Sequence, residues 1–314
     1  MNIKKIGLTA LAGSLVAMTS SVAGEMSVAG SASLNVEHTN GGAADTGKTF
    51  SMGNQLTFTG GGELDNGLNV SLSFVLDQGD DTAIANAPFD SHSLTISSES
   101  FGSLVFSGEG GSSSTTARDA TAAGDIWDQF DDETGLEPTG VGSGDNMMMY
   151  KLPAIMDGLA ADISYLPTGS AADSAVGYGF DFTGVEGLTV NFATGDGTTV
   201  GGGTDATVMK ASYAIGSLTA AYSSYEYDTA GTSSDDDVTG YKLSYTISDE
   251  LSASYASETV EEGTKEAEYE SVSASYTAGG MTITATMSEG TDIDGTTTAT
   301  EDRERWALSA SFAF

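Results

Sequence analysis

The feature that most restricts this chain is a hydropathy pattern of period two that recurs from near the N-terminus to the last residue. Met26, Val28, Gly30, Ala32, Leu34 and Val36 alternate with Ser27, Ala29, Ser31, Ser33, Asn35 and Glu37. The same beat runs through Leu68, Val70, Leu72, Phe74 and Leu76, through Val176, Tyr178, Phe180 and Phe182, and through Met281, Ile283, Ala285 and Met287. It is cleanest at the end, where Trp306, Leu308, Ala310, Phe312 and Phe314 alternate with Arg305, Ala307, Ser309, Ser311 and Ala313. Successive side chains on a strand point to opposite faces. Each segment is therefore read as a strand with one apolar face and one small, polar face. Beyond the first residues, nothing supplies the roughly 18 consecutive apolar residues of a membrane-spanning helix.

The connections decide what these strands build. Sixteen strands are expected, joined by short segments at 61–66, 98–102, 153–157, 184–186, 215–216, 248–250 and 277–280. Between them fall mostly longer segments rich in Asp, Gly and Thr at 39–47, 79–88, 110–144, 167–173, 195–203, 228–235, 258–263 and 289–302. Strict alternation puts all tight turns at one end and all loops at the other. That is an all-β, up-and-down antiparallel barrel with periplasmic turns and extracellular loops. A soluble sandwich has no reason to segregate its loops. An apolar outer face is a hazard in water and a requirement in lipid, and closure leaves no unpaired backbone edge. The polar inner face is then expected to line water rather than a dry core, since a barrel of about 16 strands is wide enough for an aqueous channel. Tyr213, Tyr276, Phe312 and Phe314 near turns, and Tyr165 and Tyr241 near loops, take girdle positions.

The first residues are read apart from the fold. Lys4 and Lys5 precede an apolar stretch at 6–18 and the small residues Ser21-Val22-Ala23. This is the pattern of a signal peptide over 1–24, cleaved near Ala23 or Gly24, leaving 25–314 as one barrel domain. Acidic residues number 45 against 10 basic ones, a formal charge of −35, which loss of Lys4 and Lys5 would deepen. Such a chain does not seek nucleic acid. Without cysteine there is no disulfide, thiolate metal site or thiol nucleophile. Catalysis is not expected: a triad needs a base, and only His38 and His92 exist. An outer-membrane lipase or protease barrel and an exported adhesin or β-solenoid are the competing classes. The first lacks a marked nucleophile partner, and the second predicts a fixed internal repeat that is absent.

The terminal run from Arg305 to Phe314 resembles the last strand of Gram-negative outer-membrane barrels, which ends in Phe and serves as an assembly signal. Glu25-Met26-Ser27-Val28-Ala29-Gly30, Leu56-Thr57-Phe58-Thr59-Gly60 followed by Leu64-Asp65-Asn66-Gly67-Leu68, and Phe101-Gly102-Ser103-Leu104-Val105-Phe106-Ser107-Gly108 are similar in order and spacing to segments of the alphaproteobacterial general-diffusion porins. The resemblance implies a sixteen-strand barrel in the outer membrane and a homotrimer surrounded by lipid. It also implies passive diffusion of small hydrophilic solutes, and a long third loop folded into the pore. A channel tuned to one substrate is the nearest alternative. The loops here are richer in Gly and Thr, and the family's cluster of wall arginines is thinned.

On that resemblance, 110–144 is the constriction loop, and its Asp119, Asp125, Asp128, Asp131, Asp132, Glu133 and Glu137 would narrow and charge the pore. It also carries Arg118 and Trp127. Connections this long without regular structure are usually functional. Parity supplies the wall: Arg303, Arg305, Lys210, Lys242 and Lys151, with Glu37, Asp77, Glu109 and Asp162, fall opposite the apolar positions. A basic side chain facing lipid at mid-depth costs about 2–4 kcal/mol, which favours the inward face. Acids predominate, so cations are expected to accumulate in the pore. No cofactor is expected. The acidic runs, Asp131, Asp132 and Glu133 above all, offer hard oxygen ligands for weak calcium binding.

Overall fold

The computed structural model describes residues 25–41, 48–77, 90–130, 141–167, 174–197, 204–229, 235–295 and 302–314. The expected signal peptide and Asp131, Asp132, Glu133 and Glu137 lie outside the described residues.

Alternation produces one closed antiparallel barrel of sixteen strands in sequence order. They are β1 (Glu25–Asn40), β2 (Lys48–Glu63), β3 (Asn69–Asp77), β4 (Ser91–Ser98), β5 (Gly102–Glu109), β6 (Met147–Lys151), β7 (Leu159–Leu166) and β8 (Ala175–Phe182). β9 (Leu188–Asp196), β10 (Thr204–Ile215), β11 (Leu218–Thr229), β12 (Asp235–Thr246), β13 (Leu251–Glu262), β14 (Lys265–Ala278), β15 (Met281–Thr291) and β16 (Arg303–Ala313) follow. Closure is made by β1 on β16, where Val36 faces Leu308 and Ala32 faces Phe312 across the ladder. Phe314 extends the seam, exchanging backbone bonds with Gly30 of 2.7 and 3.0 Å. No described helix is long and apolar enough to cross a membrane.

Register sorts the two faces. Cross-strand rows such as Val28–Phe58–Phe74 and Tyr222–Tyr241 carry large apolar side chains, with ring centroids 5.1 Å apart in both aromatic pairs. Met26, Phe50, Met52, Tyr213, Tyr245 and Met287 on this face are exposed, as an outward surface for lipid requires. The opposite face bears hydroxyl rows, such as Ser252–Ser275–Thr284–Ser309–Asn35–Ser51 across β13, β14, β15, β16, β1 and β2.

The turns rest on glycine where the backbone demands it. Gly102 opens β5 with φ of 84°, and a Cβ there would meet the backbone of Lys151 and Leu152, 2.9 Å from Leu152 C. Gly102→Ala is expected to cost about 1–2 kcal/mol for the left-handed backbone alone, with the clash in addition. A lowered urea midpoint of the reconstituted barrel checks this, and an unchanged midpoint contradicts it.

Two expectations need correction. The connection between β13 and β14 is a tight two-residue turn, not the longer loop at 258–263, because both strands continue upward until Gly263 reverses the chain at φ of 61°. The inner face is also not wholly wet. Near the loop end of β10 to β14, the alternation inverts: Val208, Tyr225, Val238, Val260 and Ala267 point inward and are buried, while Glu226, Asp237, Glu261, Glu266 and Glu268 take the outward parity. Outward carboxylates belong in water, so the inversion marks where the apolar band ends. The inward apolar groups are dry because a loop covers them.

Candidate functional site

That loop is 110–146. Gly111 and Gly144 close its base with paired backbone bonds of 3.2 and 2.9 Å. Its sequence is rich in Ser and Thr, whose hydroxyls bond local backbone instead of forming a helix. Ser113 and Thr115 donate to Val141 O at 2.8 and 3.1 Å, tying the outgoing limb to the returning one. The loop then crosses the inward face from β7 to β16, held by one anchor after another.

The first anchor is electrostatic. Ser114 N donates to Ser164 Oγ at 2.9 Å, and Ser114 Oγ to Asp162 Oδ1 at 2.5 Å. The Arg118 guanidinium forks between two carboxylates. It meets Asp181 through Nε at 2.9 Å and Nη2 at 2.7 Å, and it pairs with both oxygens of Asp162. Arg118 and Asp162 side chains are each 7% exposed, so this pair is buried. Planar bidentate pairing of this kind fixes direction as well as charge.

Next comes a polar stretch. Tyr225 Oη has one hydrogen to donate and lies within hydrogen-bond reach of Ala120 O and Arg118 O, Lys210 Nζ donates to Ala120 O at 2.7 Å, and Ala122 N donates to Ser223 Oγ at 2.8 Å. Thr121 and Asp125 cap each other: Thr121 N reaches Asp125 Oδ1 at 2.8 Å, and Asp125 N reaches Thr121 Oγ1 at 2.9 Å. The last anchor is apolar. A 3-10 turn at Trp127–Phe130 begins where Trp127 N donates to Glu258 Oε2 at 3.1 Å, placing a carboxylate at the turn's N-terminus. Ile126 and Phe130 are buried against the inverted wall, with Phe130 and Tyr269 centroids 5.7 Å apart. Gln129 Oε1 accepts from Ser288 Oγ at 2.7 Å and Arg305 Nη1 at 3.0 Å, and Arg305 also pairs with Glu37.

Two cavities flank the crossing. One, of about 250 Å³, is lined by Asp119, Thr121, Asp125, Trp127, Asp128, Tyr225, Tyr227 and Val238. Burial, aided by the charge of Asp125, pushes the Asp119 carboxyl up to about 6. The other, of about 440 Å³, is lined on its polar side by Arg118, Lys151, Asp162, Asp181, Asn191 and Lys210.

The expected residues therefore separate into groups. Asp119, Asp125 and Asp128 meet in one cavity, and Lys151, Lys210 and Asp162 meet in the other. Lys242 Nζ approaches the loop at Gly124. Glu37 and Arg305 pair with each other. Arg303 is buried, and Asp77 stands opposite Gln55 on β2. Strict alternation places Glu109 in the lumen, but a register shift between His92 and Ser93 sets it opposite His92 instead. Its carboxylate lies 3.7 Å from His92 Nδ1, and His92 shares the parity of Leu94 and Phe74. His38 lies beside Trp306, with centroids 6.2 Å apart. Among the described residues, no three acidic or histidine side chains form a group that could hold a metal.

Asp181 and Glu258 were missed. Asp181 alternates with Phe180 and Phe182, so parity alone could have found it. Glu258 falls at the start of the expected 258–263 loop because the hydropathy inverts there.

The sequence matches the family model described as Gram-negative porin over residues 7–270. No curated protein sequence matches it. Its fold is similar to that of an anion-selective porin from Comamonas acidovorans: TM-score 0.70, 14% identity, 92% of this chain and 99% of that one covered. It is also similar to a substituted porin from Rh. blastica, with TM-score 0.67, 12% identity and coverage of 92% and 100%. A loop-deleted form of OmpT, an outer membrane protein of Vibrio cholerae, aligns with TM-score 0.62, 16% identity and coverage of 92% and 99%.

Proposed function

This chain belongs to the Gram-negative porin family, and on that premise we propose a cation-preferring diffusion pore constricted by loop 110–144. It is an outer-membrane channel and not an enzyme. The finer reading concerns what passes. A solute entering the barrel meets the loop surface and the hydroxyl rows of the remaining wall, and small hydrophilic solutes suit both.

The observation that carries the ion preference is the fate of the basic groups. Arg118 is consumed by Asp162 and Asp181, and Arg305 by Glu37. Lys210 Nζ is held at Ala120 O, keeps its charge, and faces Asp119 and Asp125, which outnumber it. The carboxylates of Asp119, Asp125 and Asp128 gather in their own cavity beside the loop. Unbalanced negative charge in a water-filled channel with low-dielectric walls concentrates cations. The similar barrel from Comamonas acidovorans is anion-selective, so the architecture does not set the sign of the preferred ion. Local side chains do. The homotrimer implied by the resemblance belongs to the same proposal, as does weak calcium binding at the acidic run Asp131, Asp132 and Glu133, whose carboxylates are hard oxygen ligands.

The test is pH. Asp119, held near 6, is mostly ionised at pH 7 and mostly protonated at pH 5. It faces Asp125, Asp128, Tyr225, Tyr227 and Lys210. The K⁺/Cl⁻ permeability ratio is expected to fall on acidification with a midpoint near 6. Asp119→Asn should flatten that step, whereas a ratio independent of pH between 7 and 5 contradicts the assignment.

A further inference from the structure

The cavity of about 250 Å³ beside the loop differs from the hydroxyl-lined wall around it. Tyr225 and Tyr227 are successive inward residues of β11, about 7 Å apart along the strand, and Trp127 joins them from the loop. Three aromatic side chains thus share one space with the carboxylates of Asp119, Asp125 and Asp128. Those carboxylates, set against the one ammonium of Lys210, keep the site negative.

Two observations narrow what it can hold. The carboxylates surround the space without converging, since no three acidic groups among the described residues come together as a metal ion needs. A cation that fits here is bulky and asks for no directed bonds. The second observation is Tyr227. Its neighbour Tyr225 turns its hydroxyl to the loop backbone. Tyr227 is 4% exposed, faces the charges of Asp119 and Asp125, and makes no hydrogen bond among the described residues. A buried hydroxyl normally has a partner, so this one is left for a ligand. We propose that the cavity binds a small quaternary ammonium that carries a hydroxyl group. A methyl-covered charge suits aromatic walls and dispersed carboxylates, because it has no N–H donor to satisfy. The ligand's hydroxyl pairs with Tyr227 Oη. This inference rests on the cation-preferring reading of the pore and names a class of cation that the pore takes up.

The chain has two tryptophans, so Trp306→Phe leaves Trp127 as the sole indole reporter, within the cavity. The full-length protein is reconstituted in vesicles and titrated at pH 7 with choline, ethanolammonium, tetramethylammonium and potassium chlorides at constant ionic strength. Choline is expected to change the indole emission saturably. Its half-saturation should lie roughly fivefold below that of tetramethylammonium, the worth of about one hydrogen bond. It should lie roughly threefold below that of ethanolammonium, whose N–H donors lose water without convergent acceptors. Tyr227→Phe should erase the advantage of choline over tetramethylammonium. Choline added on the loop side should also reduce the potassium current of the unsubstituted protein saturably, which reads the site without any substitution. A choline response no different from that of potassium overturns the proposal. So does tighter binding of ethanolammonium, or equal binding of choline and tetramethylammonium. The zero-current potential under a KCl gradient is taken on the same preparation. Cation preference without choline saturation overturns this site alone, whereas anion preference overturns the reading on which it rests.

Discussion

Arg118→Ala is expected to release the loop and raise single-channel conductance roughly twofold, because the narrowest segment dominates the resistance of a pore. The argument starts from burial. The Arg118 and Asp162 side chains are each 7% exposed, and Asp181 completes the fork. Removing one partner of a buried ion pair leaves the other charge uncompensated, at about 3–5 kcal/mol. Ser114 N still donates to Ser164 Oγ, at about 1 kcal/mol, and Ser114 Oγ to Asp162, at about 1.5–3 kcal/mol for a bond to a charged group, but neither neutralises the stranded charge. The cheapest relief is for the 113–121 segment to lift from β7 and β8 and admit water to Asp162. A quieter control combines Arg118→Ala with Asp162→Asn and Asp181→Asn. It removes the stranded charges, so it should recover much of the lost stability while keeping the wider pore. Unchanged conductance in both variants, with an unchanged urea midpoint, would mean that the fork holds nothing.

The second large effect concerns charge. Combining Asp119→Asn, Asp125→Asn and Asp128→Asn should lower the K⁺/Cl⁻ permeability ratio roughly fivefold at 0.1 M KCl, since steering charges act over a Debye length of about 10 Å. At 1 M salt that length shrinks to about 3 Å, and the difference between variant and parent should shrink with it. Asparagine keeps the shape of each side chain, and the mutual cap of Thr121 and Asp125 survives through the amide oxygen. A ratio unchanged at low salt would shift the source of selectivity to the acidic loop ends.

How far the fold was legible follows from the solvent on each side of the wall. Where lipid lies outside and water inside, every strand shows its two faces, and Trp306, Leu308 and Phe312 against Arg305 and Ser309 give direction and register at once. Above the lipid the rule inverts. Val238 and Val260 point inward beneath Ile126 and Phe130, and Asp237 and Glu261 point outward into water. Period two persists there, but its phase carries the opposite meaning, so Glu258 reads as loop and β13 reads too short. The shift at His92 and Ser93 is another such case, because one bulge moves Glu109 to the other face without changing composition. Within the site, residue types were legible and their partners were not. Arg118 sits 44 residues from Asp162 and 63 from Asp181, and only the barrel's curvature brings those three together. The gathering of Asp119, Asp125 and Asp128 was easier, since all three lie on one connection.

The central claim is a water-filled pore whose unpaired charge is negative. The most direct measurement is the zero-current potential of the purified protein in a planar bilayer under a KCl gradient, at pH 7 and low ionic strength. Stepwise conductance with the dilute compartment positive is predicted, because K⁺ then moves down the gradient ahead of Cl⁻. Stepwise conductance with the dilute compartment negative would contradict the account.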